Sequence, residues 1–185
     1  MKYLIVCGGK TDKEFGLNEI KTDGIDAIIA ADSGMDFLYE NGVTPDIIVG
    51  DFDSATTKAL EFFERKGQTE IHRLNPIKDD TDTEYAIRLA IREGARSIVM
   101  LGATGSRIDH VLGNISLLGI GLESGTDISI IDTNNRIRMA DKPVTIEKSA
   151  QYGRFVSLIA VTDDNEVSLR GFKYSVTDYS FDRFT

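Results

Sequence analysis

The sequence is poor in the residues that mark secreted, metal-thiolate or membrane proteins. It has one cysteine, three prolines, two histidines and no tryptophan. The single cysteine, Cys7, cannot form an internal disulfide and lies in an apolar run typical of a core strand. No apolar run approaches the roughly 18 residues that a membrane span needs, and the first run ends too early for a signal peptide. These absences predict a cytoplasmic protein.

The sequence also has fewer basic than acidic side chains. The chain has 21 basic and 30 acidic side chains, which gives a net charge of −9 over 185 residues. This balance disfavours binding to a nucleic-acid backbone or to an anionic membrane surface. The 41% hydrophobic and 28% charged fractions are typical of a globular protein, and the length predicts one domain or a domain and a half.

Short apolar runs without alternation indicate buried parallel strands. Six are present, at residues 3–7, 27–31, 47–49, 71–74, 98–101 and 128–131. Stretches with helical spacing separate them, and Thr81 to Glu84 has the pattern of a capping box, while Gly67 and Gly94 follow predicted helices. The fold class expected is therefore α/β, with a parallel, Rossmann-like sheet flanked by helices.

The pattern changes near residue 122. Short alternating runs follow, around residues 144–146, 155–161, 167–169 and 172–176, and predict a small antiparallel β domain of the sandwich type. We expect an α/β domain over residues 1–122 and a β domain over residues 123–185. The second domain is short for a sandwich.

Acidic residues follow the predicted strands, at the edge where an open α/β sheet binds its ligand. Asp51 and Asp53 follow the third strand, and Asp80 and Asp82 come after the fourth. Carboxylates grouped in this way repel one another unless a cation such as Mg²⁺ neutralises them. Helix capping, by Asp53 or Ser54 and by Asp79 or Asp80, is the alternative explanation, and it does not exclude metal binding.

A glycine-rich loop after the fifth strand favours phosphate binding. Residues 102–105 permit close backbone approach, and the helix that follows has Arg107, His110 and Asn114 on one polar stripe. A solvated helix face would give the same stripe. Lys78 and Arg107 are the better candidates for contacting phosphate, because Gly8-Gly9-Lys10 lacks the complete nucleotide-binding patterns. His72, within a strand, is interpreted as structural.

Four ordered motifs together resemble the thiamine pyrophosphokinase family. They are Ala31-Asp32-Ser33-Gly34, the segment 44–54 that includes Gly50-Asp51-Phe52-Asp53-Ser54, the segment 78–84, and the segment 102–110 closed by Gly113-Asn114. The resemblance covers about residues 1–120, and a weaker similarity continues through residues 155–158 and 171–174.

The resemblance implies diphosphoryl transfer from ATP to thiamine, giving thiamine diphosphate and AMP, on a homodimer that uses Mg²⁺. At the matching positions, Asp51, Asp53 and Asp82 are expected to be the metal-binding and catalytic carboxylates, and Asp53 or Asp82 could orient or deprotonate the attacking hydroxyl. The expected nucleotide-binding residues are Asp32, Lys78, Thr81, Arg107, Asp109 and Asn114.

The sequence departs from the family pattern at its end. Only eleven residues follow Tyr174, without the loop that helps to form the thiamine pocket in the family. Two alternatives therefore stay open. One is a haloacid-dehalogenase-type phosphatase with Asp51 as nucleophile, although that family has its motif after the first strand. The other is a nucleotide-binding module that lacks turnover.

Overall fold

Strands and helices alternate along most of the chain in the computed structural model, which describes residues 1–52, 56–75, 80–105 and 107–184. The strands are β1 (Lys2–Val6), β2 (Ala27–Ala31), β3 (Ile47–Gly50), β4 (Glu70–Arg73), β5 (Ser97–Leu101), β6 (Asp127–Ile131), β7 (Arg136–Arg138), β8 (Asn165–Leu169) and β9 (Val176–Phe181). The helices are α1 (Lys13–Ile20), α2 (Gly34–Glu40), α3 (Thr57–Lys66), α4 (Asp82–Arg92) and α5 (Ile108–Ser124), with a 3₁₀ turn at Lys148–Ala150.

The first seven strands form one sheet in the order β4-β3-β2-β1-β5-β6-β7. The first six strands pair in parallel, as the six apolar runs predict, and β7 is antiparallel to β6. The predicted α/β class with a parallel sheet is confirmed.

Both faces of the sheet are covered by helices. Tyr3 and Ile5 of β1 point into a core with α4 and α5, and Leu4 and Val6 point into the opposite core with α1, α2 and α3. Strands buried on both faces need apolar side chains at every position, which explains the unalternated runs. The chain moves from β1 towards β4 and then crosses back to β5. The carboxyl ends of β1 and β5 therefore flank a topological switch point, where open α/β sheets form their ligand crevice.

Helix ends follow the local sequence signals. Thr81 is the N-cap of α4, and its hydroxyl accepts a hydrogen bond from the backbone N–H of Glu84 at 3.2 Å. Gly67 ends α3 in the left-handed conformation, and Gly94, with φ +90°, directly follows the C-cap of α4. The boundaries predicted from Thr81, Gly67 and Gly94 are confirmed. The alternative that Asp53 or Ser54 caps α3 and that Asp79 or Asp80 caps α4 was wrong, because the N-caps are Thr56 and Thr81.

The chain divides into two compact units, Met1–Tyr152 and Gly153–Thr185. The sheet of the first unit continues past residue 122 because β6 pairs with β5 and β7 pairs with β6. A functional division at residue 122 stays a prediction.

The second unit contains the antiparallel pair β8 and β9, which confirms a small antiparallel sheet at the C-terminal end. The strands predicted at residues 144–146 and 155–161 were wrong, since neither segment is a strand in the structure. The predicted run at residues 172–176 was also wrong except at its last residue, since residues 171–174 are a bend and β9 begins at Val176. Alternating apolar residues form a strand only where a neighbouring backbone completes the hydrogen-bond ladder. Among the residues described, no helix has the length and apolar character to traverse a bilayer.

Candidate active site

Three carboxylates meet at the carboxyl edge of the sheet. Asp32 follows β2, Asp51 follows β3, and Asp82 is the first residue of α4. Each offers one carboxylate oxygen, and these oxygens all lie within 4.8 Å of one another; all three residues are half-buried. We call this group the acidic cluster. Asp53, which the sequence places with Asp51 and Asp82, lies outside the described residues, as do Lys78, Asp79 and Ser54.

Two residues with left-handed backbone shape the loops that carry the acidic cluster. Asp32 has φ 48° and Phe52 has φ 63°, conformations that cost energy for side chains other than glycine. The N–H of Asp32 donates to the carbonyl of Val49 at 2.7 Å, which ties the end of β2 to β3. At Gly50 a Cβ would lie 3.2 Å from the Cα of Asp32 and 3.0 Å from the Phe52 ring. A side chain at position 50 would therefore push the Phe52 ring or the backbone of Asp32 away by a few tenths of an ångström, and glycine allows the closer packing.

The N-terminus of α4 is anchored on both sides of Asp82. Thr81 caps the helix, and the Thr83 hydroxyl contacts the Sγ of Cys7 at 3.8 Å at the end of β1. Cys7 is buried, as its apolar run predicts; burial raises the pKa of its thiol to about 12, and the Thr83 contact offsets this only in part. The anchors place Asp82 beside the other two carboxylates. A nucleotide contact by Thr81 stays a prediction.

The acidic cluster has the donor chemistry of a hard divalent cation. Carboxylate oxygens are the protein ligands that Mg²⁺ prefers, at about 2.1 Å, so two ligands of one ion are at most about 4.2 Å apart. The separations of up to 4.8 Å need only a small side-chain adjustment to reach that limit. Asp32, Asp51 and Asp82 therefore fit an Mg²⁺ ion. The resemblance implied Asp51, Asp53 and Asp82 as metal ligands and Asp32 as a nucleotide-binding residue; these roles stay predictions, and among the described residues it is Asp32 that completes the group with Asp51 and Asp82.

The predicted nucleotide residues of α5 are held by contacts within the protein. Arg107 donates to both oxygens of Asp109, at 3.2 Å from Nε and 2.6 Å from Nη2, and both side chains are exposed. The hydrogen bond from Arg107 lowers the pKa of Asp109. The Asn114 amide donates to the carbonyl of Ala103 at 2.9 Å and so fastens the preceding loop to α5.

The turn between β6 and β7 contains a polar group that the sequence analysis missed. The Asp132 carboxylate accepts hydrogen bonds from the Thr104 hydroxyl at 2.8 Å and from the backbone N–H groups of Asn134 and Asn135. Burial would raise the pKa of Asp132, but the Asn134, Thr104 and Asn135 donors outweigh it and lower the pKa. The run Asp132-Thr133-Asn134-Asn135 directly after the sixth apolar run was the available signal, since Asx turns begin this way.

The loop after β1 and the loop after β5 contact each other through Gly9 and Gly102. The N–H of Gly9 donates to the carbonyl of Gly102 at 2.9 Å. A Cβ on Gly9 would lie 2.3 Å from that oxygen and 2.9 Å from the Cα of Gly105. Glycine is therefore required here for the loops after β1 and β5 to touch.

The fold and the acidic cluster define an open α/β protein suited to binding a metal-associated ligand at its strand ends. The family model described as "Thiamin pyrophosphokinase, catalytic domain" matches residues 21–130, and "Thiamin pyrophosphokinase, vitamin B1 binding domain" matches residues 143–184. The chain belongs to the thiamine pyrophosphokinase family, as its motifs indicate.

Similar proteins agree with this assignment. A thiamine pyrophosphokinase from Bacillus subtilis is 36% identical over 152 residues, which are 81% of this chain and 70% of the relative. The crystal structure of thiamine pyrophosphokinase from Bacillus subtilis matches with a TM-score of 0.83 at 32% identity, over 97% of this chain and 83% of that one. Another, from Geobacillus thermodenitrificans, has a TM-score of 0.78 at 26% identity, over 100% and 84%. These comparisons do not favour the phosphatase alternative.

Proposed function

We propose that this protein transfers the diphosphoryl group of ATP to thiamine, giving thiamine diphosphate and AMP. The observation that carries the proposal is the acidic cluster at the strand ends of a chain that belongs to this family. The protein is accordingly a transferase with thiamine and ATP as its substrates.

The reaction forms one phosphorus–oxygen bond and breaks another. The hydroxyl oxygen of thiamine attacks the β-phosphorus of ATP, the bridging bond between the α- and β-phosphates breaks, and AMP leaves with that bridging oxygen. The hydroxyl proton must pass to a base, for which Asp82 and Asp53 are our candidates. Catalysis of this kind depends on positioning and on neutralising phosphate charge.

We propose that the acidic cluster neutralises the charge of the phosphates by binding a metal ion. Asp32, Asp51 and Asp82, together with Asp53, would hold Mg²⁺, which when bound offsets the negative charge of the phosphates. Without a cation, three carboxylates this close would repel the triphosphate. A bound cation would remove this repulsion and allow the triphosphate to approach the cluster.

Cationic and polar residues are assigned to the nucleotide. Arg107 lies at the N-cap of α5, where a guanidinium and the helix N-terminus both favour a phosphate oxygen. Asp109 keeps Arg107 in place through its two hydrogen bonds, and Asn114 holds the loop after β5. Asp32, Lys78 and Thr81 complete the proposed set.

We also propose a homodimer and a cytoplasmic location. The second unit exposes large apolar side chains, including Phe155 at 82% and Ile159 at 85%, which supports an interface with a second copy. A chain whose one cysteine, Cys7, is buried has no internal disulfide, which agrees with a reducing compartment.

Substitution of the acidic cluster tests the function. The wild-type protein is incubated with MgATP and thiamine, and thiamine diphosphate is measured by chromatography. Asp51→Asn and Asp82→Asn are expected to lose nearly all activity, whereas Asp23→Asn, an exposed carboxylate in the turn after α1, should match the wild type. Wild-type rates in either cluster variant would contradict the site. ATP binding without any product in the wild type would support the nucleotide-binding module instead.

A further inference from the structure

His72 lies in β4, at one edge of the seven-stranded sheet, and both of its ring nitrogens have a polar neighbour. Nε2 lies 2.6 Å from the carboxylate of Glu70, and Nδ1 lies 3.2 Å from the hydroxyl of Tyr85 in α4. A carboxylate can only accept, so Nε2 donates to Glu70, and in the neutral ring Nδ1 then accepts from the Tyr85 hydroxyl. We call the hydrogen bond between Tyr85 and His72 the strand–helix link.

The strand–helix link is shielded from water. The side chain of His72 is 23% exposed, and Tyr85 packs against the core that α4 shares with the sheet. The centroids of the two rings are 6.0 Å apart, and the Arg92 guanidinium lies over the Tyr85 ring at 5.5 Å from its centroid. These contacts orient the Tyr85 hydroxyl, and a hydrogen bond is stronger where water is excluded.

On the strand side, the strand–helix link is connected to Asp51 by the pairing of β4 with β3. His72 is opposite Val49 in the register, and the N–H of Leu74 donates to the carbonyl of Gly50 at 2.9 Å. Asp51 follows Gly50 directly. A short path through paired backbone therefore joins His72 to the end of β3 that carries a carboxylate of the acidic cluster.

On the helix side, the strand–helix link is one turn from Asp82. Asp82 begins α4 and Tyr85 is three residues further along, so both side chains lie on the same side of the helix. Thr83, between them, contacts Cys7 at the end of β1. The first turn of α4 is therefore held by two strands, by β1 through Thr83 and by β4 through Tyr85.

The acidic cluster needs such anchoring because its carboxylates repel one another. Asp32 and Asp51 follow paired strands, whereas Asp82 belongs to a helix, so the position of Asp82 depends most on side-chain contacts. The carboxylate oxygens lie within 4.8 Å of one another, and like charges this close favour a movement of the start of α4 away from β3. A cation binds more weakly if it must first bring Asp82 back, and more tightly if the helix is already in place.

We propose that His72 and Tyr85 are positioning residues for the divalent cation: their hydrogen bond holds Asp82 beside Asp51, so that the acidic cluster binds the ion with little rearrangement. Both residues act through Asp82 and not by contact with the ion. The inference rests on the proposed function for the identity of the ion.

Binding of Mn²⁺, a paramagnetic substitute for Mg²⁺, tests the proposal without substrates. Free Mn²⁺ is measured by electron paramagnetic resonance in the presence of the full chain. Tyr85→Phe removes only the hydroxyl and should raise the dissociation constant for Mn²⁺ about fivefold, which corresponds to about 1 kcal/mol, as expected for one hydrogen bond. The Mg²⁺ concentration for half-maximal activity should rise by a similar factor, and the KM for thiamine should stay as in the wild type.

Two substitutions of His72 separate positioning from a purely structural role. The side-chain amide of asparagine reaches the position of Nδ1, so His72→Asn can still accept from Tyr85 and should bind Mn²⁺ like the wild type. The longer glutamine places its amide near Nε2, so His72→Gln keeps a partner for Glu70, loses the strand–helix link and should bind Mn²⁺ as weakly as Tyr85→Phe. Asparagine is disfavoured in strands, so a purely structural role predicts the larger loss for His72→Asn.

Tyr152→Phe is the matched control for Tyr85→Phe. The Tyr152 hydroxyl donates to the carbonyl of Asp132, in the turn between β6 and β7 at the opposite edge of the sheet from β4. This variant loses the same kind of hydrogen bond far from the acidic cluster. Its melting temperature should fall, and its affinity for Mn²⁺ should equal that of the wild type.

The outcomes distinguish this inference from the proposed function. If Tyr85→Phe binds Mn²⁺ like the wild type, if Tyr152→Phe loses as much affinity, or if His72→Asn loses as much as His72→Gln, the positioning role is wrong and the function stands. A wild type that binds no Mn²⁺ would contradict the inference as well. If the variants follow the expected order and the wild type makes no thiamine diphosphate, the inference stands and the proposed function fails.

Discussion

The side-chain amide of Asn114 donates a hydrogen bond to the carbonyl oxygen of Ala103 at 2.9 Å. Ala103 is buried and follows Gly102, whose left-handed φ of 67° turns the chain out of β5. The second turn of α5 thereby fastens the loop that leads to Arg107. A residue predicted to contact the nucleotide also holds the loop on which the nucleotide site depends.

Removal of this amide should affect both stability and activity. Asn114→Ala is expected to lower the free energy of unfolding by about 1 kcal/mol, since one hydrogen bond to a buried carbonyl is lost. The melting temperature should fall by about 2–4 °C, and the KM for ATP should rise because the loop is no longer fixed. Scanning calorimetry and initial rates measure the two effects.

Asn41 provides the control for Asn114. Its amide donates to the carbonyl of Phe37 at 2.7 Å, at the end of α2 and away from the acidic cluster. Asn41→Ala should lose comparable stability and keep the KM for ATP of the wild type. An equal loss of activity in both variants would mean that the Asn114 effect is one of stability alone.

The cap of α4 should stabilise the helix that carries Asp82. Thr81→Ala removes the acceptor for the Glu84 N–H and is expected to cost about 1 kcal/mol of stability. Thr81→Ser keeps the oxygen and should remain close to the wild type. Urea denaturation and turnover are measured for both variants. Equal stability of the alanine and serine variants would contradict the capping role.

The Cys7 thiol should be inert in the native protein. It is buried and its pKa is raised to about 12, so the reactive thiolate is scarce at pH 8. The pKa of the Cys7 thiol is higher in the folded protein than in the unfolded chain. The protonated thiol therefore contributes its full share to the free energy of unfolding below the unfolded pKa, and this contribution is lost as the pH rises towards 12. Labelling with a thiol reagent should require unfolding, and Cys7→Ala should show a weaker fall in stability at alkaline pH. Rapid labelling of the native protein would contradict this burial.

Glycines in the strand-end loops should not tolerate a methyl group. A Cβ on Gly34 would lie 1.9 Å from the carbonyl oxygen of Val6, so Gly34→Ala should destabilise the protein by about 1–3 kcal/mol or more. In α5, the nearest atom to a Cβ on Gly119 is the Sδ of Met139 at 3.8 Å, and Gly119→Ala should stabilise by about 0.5–1 kcal/mol. Denaturant unfolding of the two variants measures the change in the free energy of unfolding, and we expect a decrease for Gly34→Ala and an increase for Gly119→Ala.

Much of the fold could be predicted because its signals are local. Strands buried on both faces give unbroken apolar runs. The N-cap of α4 at Thr81 and the C-cap of α3 at Gly67 can be recognised from the residues next to them in the sequence. The second unit was harder to predict, because an alternating run such as 155–161 becomes a strand only if a partner strand is available, and the sequence does not specify one; the structure has no strand there. The antiparallel partner of β6, at residues 136–138, is too short to stand out as a pattern.

The candidate site was predictable to a similar extent. Strand ends placed Asp51 and Asp82 at one edge, and the structure brings them together. Asp32, which follows the second predicted strand, was expected near the same edge, and the structure groups its carboxylate with the other two. The left-handed backbone at Asp32 is a detail that sequence spacing does not reveal. Asp132 was missed because its importance comes from Thr104, distant in sequence and joined to it only by the pairing of β5 with β6.

The products formed from MgATP and thiamine test the central claim most directly. Phosphorus NMR of a reaction with the wild-type protein should show AMP and thiamine diphosphate appearing in equal amounts, because one diphosphoryl group is transferred in each turnover. Formation of ADP with thiamine monophosphate, release of inorganic phosphate alone, or no reaction would contradict it.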